Sequence, residues 1–99
     1  MNHKYPVYGT AVAALLRQSA RSSNDIWVVR SIETLSDMPS LSLGNLWARV
    51  TEAPVEIETN ALCSALDQAF QVVTLDVECK ADPAKRLVVD DGEMIVVEL

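Results

Sequence analysis

Residues 59–79 read TNALCSALDQAFQVVTLDVEC, and two periodicities meet inside this stretch. Leu62, Ala65, Leu66, Ala69 and Phe70 recur at i, i+3, i+4, i+7 and i+8, the spacing of one helix face. Thr59 or Asn60 is placed to cap that helix. From Val72 the period changes to two. Val73, Leu75, Val77 and Cys79 fall on one face, and Thr74, Asp76, Glu78 and Lys80 on the other, as in a half-buried strand. An amphipathic helix that runs straight into a half-buried strand predicts helices packed on a sheet.

Working toward the C-terminus, Ala81–Lys85 is a turn region. Leu87–Val89, Asp90-Asp91-Gly92 and Glu93–Leu99 then predict a hairpin, because Asp-Gly is a strong turn signal. Working toward the N-terminus, Val55-Glu56-Ile57 follows Pro54 as a brief edge strand. Leu46–Thr51 predicts another strand, and Thr34–Leu43 a loop long for a hairpin connection. Ile26–Ile32 is β-branched and aromatic, hence a strand. Ala11–Arg21 predicts a helix on Val12, Leu15, Leu16 and Ser19-Ala20, with Thr10 as N-cap. Arg17 and Arg21 stand toward its C-terminal end, where cations complement the helix dipole. Ser22-Ser23-Asn24-Asp25 is turn chemistry, and Tyr5–Tyr8 a short β-prone run. Residues 1–4 are expected to fray. The order predicts one α+β domain over residues 1–99: two β-α-β-β-like units, with two helices packed on a mostly antiparallel sheet.

Composition narrows the function classes. Ninety-nine residues make one small domain, with 49% apolar and 22% charged residues, so the chain reads as globular. No apolar run is long enough to span a membrane, and residues 1–20 do not have the form of a signal peptide. Cys63 and Cys79 do not make a disulfide framework, so a reducing cytoplasm is expected. The net charge is −6. Residues 1–49 hold five basic and three acidic side chains, residues 50–99 three basic and eleven acidic. Such a chain repels phosphate backbones, which argues against nucleic acid, and suits either a basic protein partner or a merely solvated acidic face.

Catalytic constellations are not evident. His3, the single histidine, sits near the terminus and reads as solvated. Cys63 and Cys79 lack metal-ligand or redox spacing and read as small core fillers. Gly9, Gly44 and Gly92 are too scattered for a phosphate loop. Asp90, Asp91 and Glu93 read as turn chemistry, and Asp76 and Glu78 as a solvent face. The expectation is a protein that acts by binding, with no cofactor and no metal.

One family resemblance emerges from Trp47-Ala48-Arg49-Val50-Thr51-Glu52, then Val55-Glu56-Ile57-Glu58, then Leu62–Phe70. It continues through Val72-Val73-Thr74-Leu75-Asp76-Val77 to the acidic turn Asp90-Asp91-Gly92-Glu93 and the run Met94–Glu98. In order and patterning these segments resemble the small effector, or coupling, components of soluble bacterial di-iron multicomponent monooxygenases. Asn24 resembles the turn asparagine of that family, although Asp25 stands where proline often follows.

The resemblance implies a non-catalytic subunit without a cofactor, monomeric when free. It would dock on a di-iron hydroxylase and couple oxygen activation to substrate hydroxylation. Candidate partner-binding residues are Asn24, Trp27, Met38, Leu41, Leu43 and Trp47. Each has an alternative. Asn24 is equally a helix C-cap. Trp27 and Trp47 are interface anchors or core. Met38, Leu41 and Leu43 are tucked under the domain or contact a partner. A small acidic inhibitor or immunity protein acting on a basic partner is the competing function. An amino-acid-sensing regulatory domain is less favoured, because the glycine-bearing ligand loop it would use is not evident.

Overall fold

A computed structural model describes residues 7–35 and 54–98. In chain order the elements are α1 (Gly9–Ser19), β1 (Ile26–Leu35), β2 (Val55–Glu58), α2 (Thr59–Asp67), β3 (Gln71–Cys79), β4 (Arg86–Asp90) and β5 (Glu93–Glu98). The strands form one sheet in the order β2-β1-β3-β4-β5, with every neighbouring pair antiparallel. Both helices pack on one face of it, giving the α+β class expected from the alternation of periods. The expected strand Leu46–Thr51 and most of the loop Thr34–Leu43 lie outside the described residues, as do His3 and Tyr5.

The sequence pattern explains why these elements close on one another. Val12, Ala13 and Leu16 of α1 and Leu62, Cys63, Ala65 and Leu66 of α2 are buried. They meet Trp27, Val29 and Ile32 of β1, Val72, Leu75, Val77 and Cys79 of β3, and Leu87 and Val89 of β4 in one cluster. The helices approach closely because small residues line their contact. The Cys63 thiol donates to the Ala13 carbonyl across 3.4 Å. Gly9 lies against the last turn of α2, where an added Cβ would stand 2.6 Å from the Ala69 carbonyl oxygen and closer still to that of Leu66.

Several expectations are corrected. α1 begins at Gly9, not after Thr10, and its N-cap Tyr8 makes no side-chain capping bond. The Tyr8 carbonyl instead takes the N–H groups of Ala11 and Val12. The expected Tyr5–Tyr8 strand is represented by a bridge between Tyr8 and Gln71, with the Val72 N–H donating to the Val7 carbonyl at 2.7 Å. β1 runs on to Leu35, through two register shifts against β3. One of them skips Val73, so Val72 is buried and Val73 only partly so, the reverse of the strict alternation. α2 stops at Asp67, so Phe70 leaves the helical stripe and is 62% exposed.

The C-terminal hairpin follows its turn signal. Asp91 and Gly92 both have positive φ, 51° and 76°, between β4 and β5. Positive φ at both central residues is what a two-residue type I′ turn needs, and its twist matches that of the flanking strands.

Candidate docking surfaces

The turn from α1 to β1 is clamped onto the start of α2. The N–H of Thr59 donates to the Asp25 carbonyl at 2.8 Å, and that of Asn60 to the Ser23 carbonyl at 3.1 Å. The Thr59 hydroxyl also donates to the Asp25 carbonyl, at 2.8 Å, and accepts the Trp27 indole N–H at 2.7 Å. Within the turn, the Arg21 N–H donates to the Asp25 carboxylate at 2.7 Å, and the Asn24 N–H to the Ser22 hydroxyl at 3.1 Å. These bonds fix the backbone of residues 21–25 and leave Arg21, Ser22, Ser23 and Asn24 exposed, with Asp25 half-buried.

Asn24 is therefore exposed on a rigid turn, and its side chain makes no hydrogen bond among the described residues. It is not the helix C-cap, since α1 ends at Ser19 with Ala20 as the cap. Beside it lies a pocket of ≈ 260 Å³. Arg17 and Ala20 form the α1 side, Arg21, Ser22 and Ser23 the turn side, and Thr59 and Asn60 the α2 side. Sequence reasoning placed Arg17 and Arg21 only as dipole partners. Their spacing of four, followed by Ser-Ser, is the signal for a shared wall. Arg17 also pairs with Asp67 of α2 at 2.6 Å, and this hydrogen bond raises its already high pKa.

The second surface is the sheet face turned away from the helices. Cross-strand pairing puts Val28 opposite Glu56 and Glu78, Asp76 opposite Val88, and Val88 opposite Ile95. Residues directly opposite share a face, so this side alternates carboxylates with a few apolar groups. Ile95 is 50% exposed there. Cations knit the carboxylates together. Arg30 pairs with Glu78, Lys80 with Glu56 at 2.6 Å, and Arg86 grips both oxygens of Asp76 at 3.0 and 2.8 Å. That fork raises the Arg86 pKa, by the hydrogen bond first and the charge second. Glu33, Glu58, Asp90 and Glu93 project from the same side without a paired cation in these bridges, so the face is net acidic.

Trp27 requires correction as a docking anchor. It has no exposed surface and is the largest fully buried side chain, so it belongs to the core. The structure thus separates it from Asn24, three residues away and outside. Met38, Leu41, Leu43 and Trp47 lie outside the described residues. An exposed aromatic pair that sequence reasoning missed is Tyr8 with Phe70, edge to face at 5.7 Å between centroids. Cys63 and Cys79 are free and buried, as expected of core fillers. Burial pushes the Cys63 thiol pKa up. Among the described residues no group of His, Cys, Asp and Glu could hold a metal ion, and no helix is long and apolar enough to cross a membrane. Comparison of the chain with protein-family models, with curated proteins and with solved structures finds no match in any of the three.

Proposed function

We propose that this chain is a non-catalytic effector subunit that docks on a di-iron hydroxylase in the cytoplasm and couples oxygen activation to substrate hydroxylation. The observation that carries the reading is Asn24. The residue that matches the family's turn asparagine stands exposed on a turn whose backbone is fixed by α2, with its side chain uncommitted. A rigid, uncommitted polar group can bind a partner at little ordering cost. The element order supports the same reading, with a helix and strand first, then a short strand, helix and three strands. Physically, such a subunit acts by differential affinity. It binds one hydroxylase conformation more tightly and so populates it.

The test is a titration of the chain into the purified product of any di-iron hydroxylase gene beside its own. Turnover and NADH coupling are followed against the molar ratio. The reading expects stimulation that saturates near stoichiometric addition. It also expects Asn24→Ala to weaken that stimulation with thermal stability unchanged. A hydroxylase that does not respond removes the reading.

The net-acidic open sheet face favours a second reading, an inhibitor or immunity module for a basic partner. A toxin or nuclease gene beside this one, and inhibition of its product by the chain, would select it. Charge steering would then make the association rate fall steeply with salt.

A further inference from the structure

We propose that the pocket at the α1–β1 turn binds a phosphate-type oxyanion, with Arg21 as its principal cation. Six cationic side chains fall among the described residues, and five have an acceptor. Arg17, Arg30, Lys80 and Arg86 hold carboxylates, and the Lys85 ammonium donates to the Ser19 carbonyl at 3.1 Å. Arg21 alone among them has none, in a chain rich in carboxylates. It lines a pocket that Arg17, Ser22 and Ser23 also border. The turn carboxylate of Asp25 takes the Arg21 backbone N–H through one oxygen and forms no ion pair with the Arg21 guanidinium among the described residues.

The other walls carry further donor groups among apolar lining. The Ser23 hydroxyl and the Asn60 side-chain amide make no hydrogen bond among the described residues, and both border the pocket. The Ser22 oxygen accepts from the Asn24 N–H, which leaves its own proton to donate. Arg17 gives one NH₂ to Asp67 and keeps other N–H groups. The site does not depend on the helix end. The N–H groups of Thr59 and Asn60 are already taken by the Asp25 and Ser23 carbonyls. Residues that carry donor groups border the pocket from α1, the turn and α2, and a guanidinium fork matches two phosphate oxygens.

The net charge of −6 opposes any anion, but only at long range. At physiological ionic strength charges farther than about 8 Å are largely screened, while a contact ion pair is not. Local charge therefore decides the outcome. The inference concerns the isolated chain and stands or falls separately from the docking reading.

The experiment is an NMR titration of the full chain with inorganic phosphate, with a small alkyl phosphomonoester, and with sodium chloride at matched ionic strength. The expected result is saturable shifts of the Arg21 Nε–H, the Asn60 side-chain amide and the Ser22 and Ser23 amides. The expected Kd is on the order of 1 mM. Arg21→Gln should weaken binding at least tenfold, and Asn60→Ala severalfold. Both residues are exposed, so both variants should fold. A monoester that binds more tightly than phosphate points to a phosphorylated small molecule, and equal affinity to the free ion. Shifts that merely follow chloride, or binding unchanged in Arg21→Gln, would overturn the proposal.

Discussion

The indole N–H of Trp27 donates to the hydroxyl of Thr59 at 2.7 Å, and the same hydroxyl donates to the Asp25 carbonyl at 2.8 Å. Thr59 is 2% exposed and Trp27 not at all. This buried relay joins the start of α2 to β1 and to the turn that carries Asn24. Trp27 and Thr59 are both shut off from water, so the indole N–H depends on the Thr59 hydroxyl. Among the described residues, no buried side-chain nitrogen or oxygen lacks a hydrogen-bond partner.

Thr59→Val keeps the shape of the side chain and removes both bonds of its hydroxyl. It leaves the Trp27 N–H buried and unsatisfied, so the expected loss is about 2 kcal/mol of stability. Thr59→Ser should retain most of it. Urea unfolding of both variants measures the difference. A valine variant as stable as the parent would mean that the indole finds another acceptor.

Gly9→Ala opposes two effects of known size. Inside a helix alanine is favoured over glycine by about 1 kcal/mol, and Gly9, the first residue of α1, can gain at most that. The new methyl would overlap backbone carbonyl oxygens of Leu66 and Ala69, which cannot rotate away. Overpacking of this kind costs about 1–3 kcal/mol or more. The clash should win, and the variant should melt at a lower temperature than the parent. A higher Tm would show that α1 slides off α2 freely.

Cys63 makes a prediction about pH. Burial favours its neutral thiol and raises the folded pKa above the unfolded one. The folded state therefore holds its proton more firmly. The associated stability is fully present below the unfolded thiol pKa, about 8.5, and is lost as pH rises from there through the folded pKa. Denaturant midpoints measured through the alkaline range should fall less steeply in Cys63→Ala than in the parent. Thiol reagents should label neither Cys63 nor Cys79 at neutral pH until the chain unfolds, and fast native labelling would contradict their burial.

Leu66 and Phe70 are four residues apart and should respond in opposite ways. Leu66 is fully buried, so Leu66→Ala should cost about 2–5 kcal/mol. Phe70 is largely exposed, so Phe70→Ser should change stability by about 0.5 kcal/mol or less. Thermal unfolding of the pair distinguishes a helix that ends at Asp67 from one that continues.

Phe70 also marks where sequence reasoning stops. Its spacing from Leu62, Leu66 and Ala69 continues the helical stripe, but spacing says nothing about where a helix ends. The carbonyls of Ala65 and Leu66 end it by taking the N–H of Gln68. At Val73 the failure is of another kind. Alternation holds for Leu75, Val77 and Cys79 and breaks one step earlier, where β1 pairs Thr34 with Val72 and Glu33 with Thr74. A bulge belongs to two strands at once, and neither strand's own pattern contains it. The pocket beside Asn24 was invisible for a similar reason. Arg17 and Arg21 were legible as a spaced pair, but Asn60 reaches them only because Thr59 bonds to Asp25.

What the sequence determined by itself was the class of each segment and its apolar face. Period 3.6 in α1 and α2, period two in β3 and the Asp-Gly turn are local properties, set by backbone geometry and side-chain hydrophobicity. What only the tertiary structure decided was how those faces meet: the strand order, the bulge at Val73, and the separation of buried Trp27 from exposed Asn24. Those outcomes depend on which carbonyl and which cavity a distant residue supplies, as Thr59 supplies the acceptor for Trp27 across 32 positions of chain.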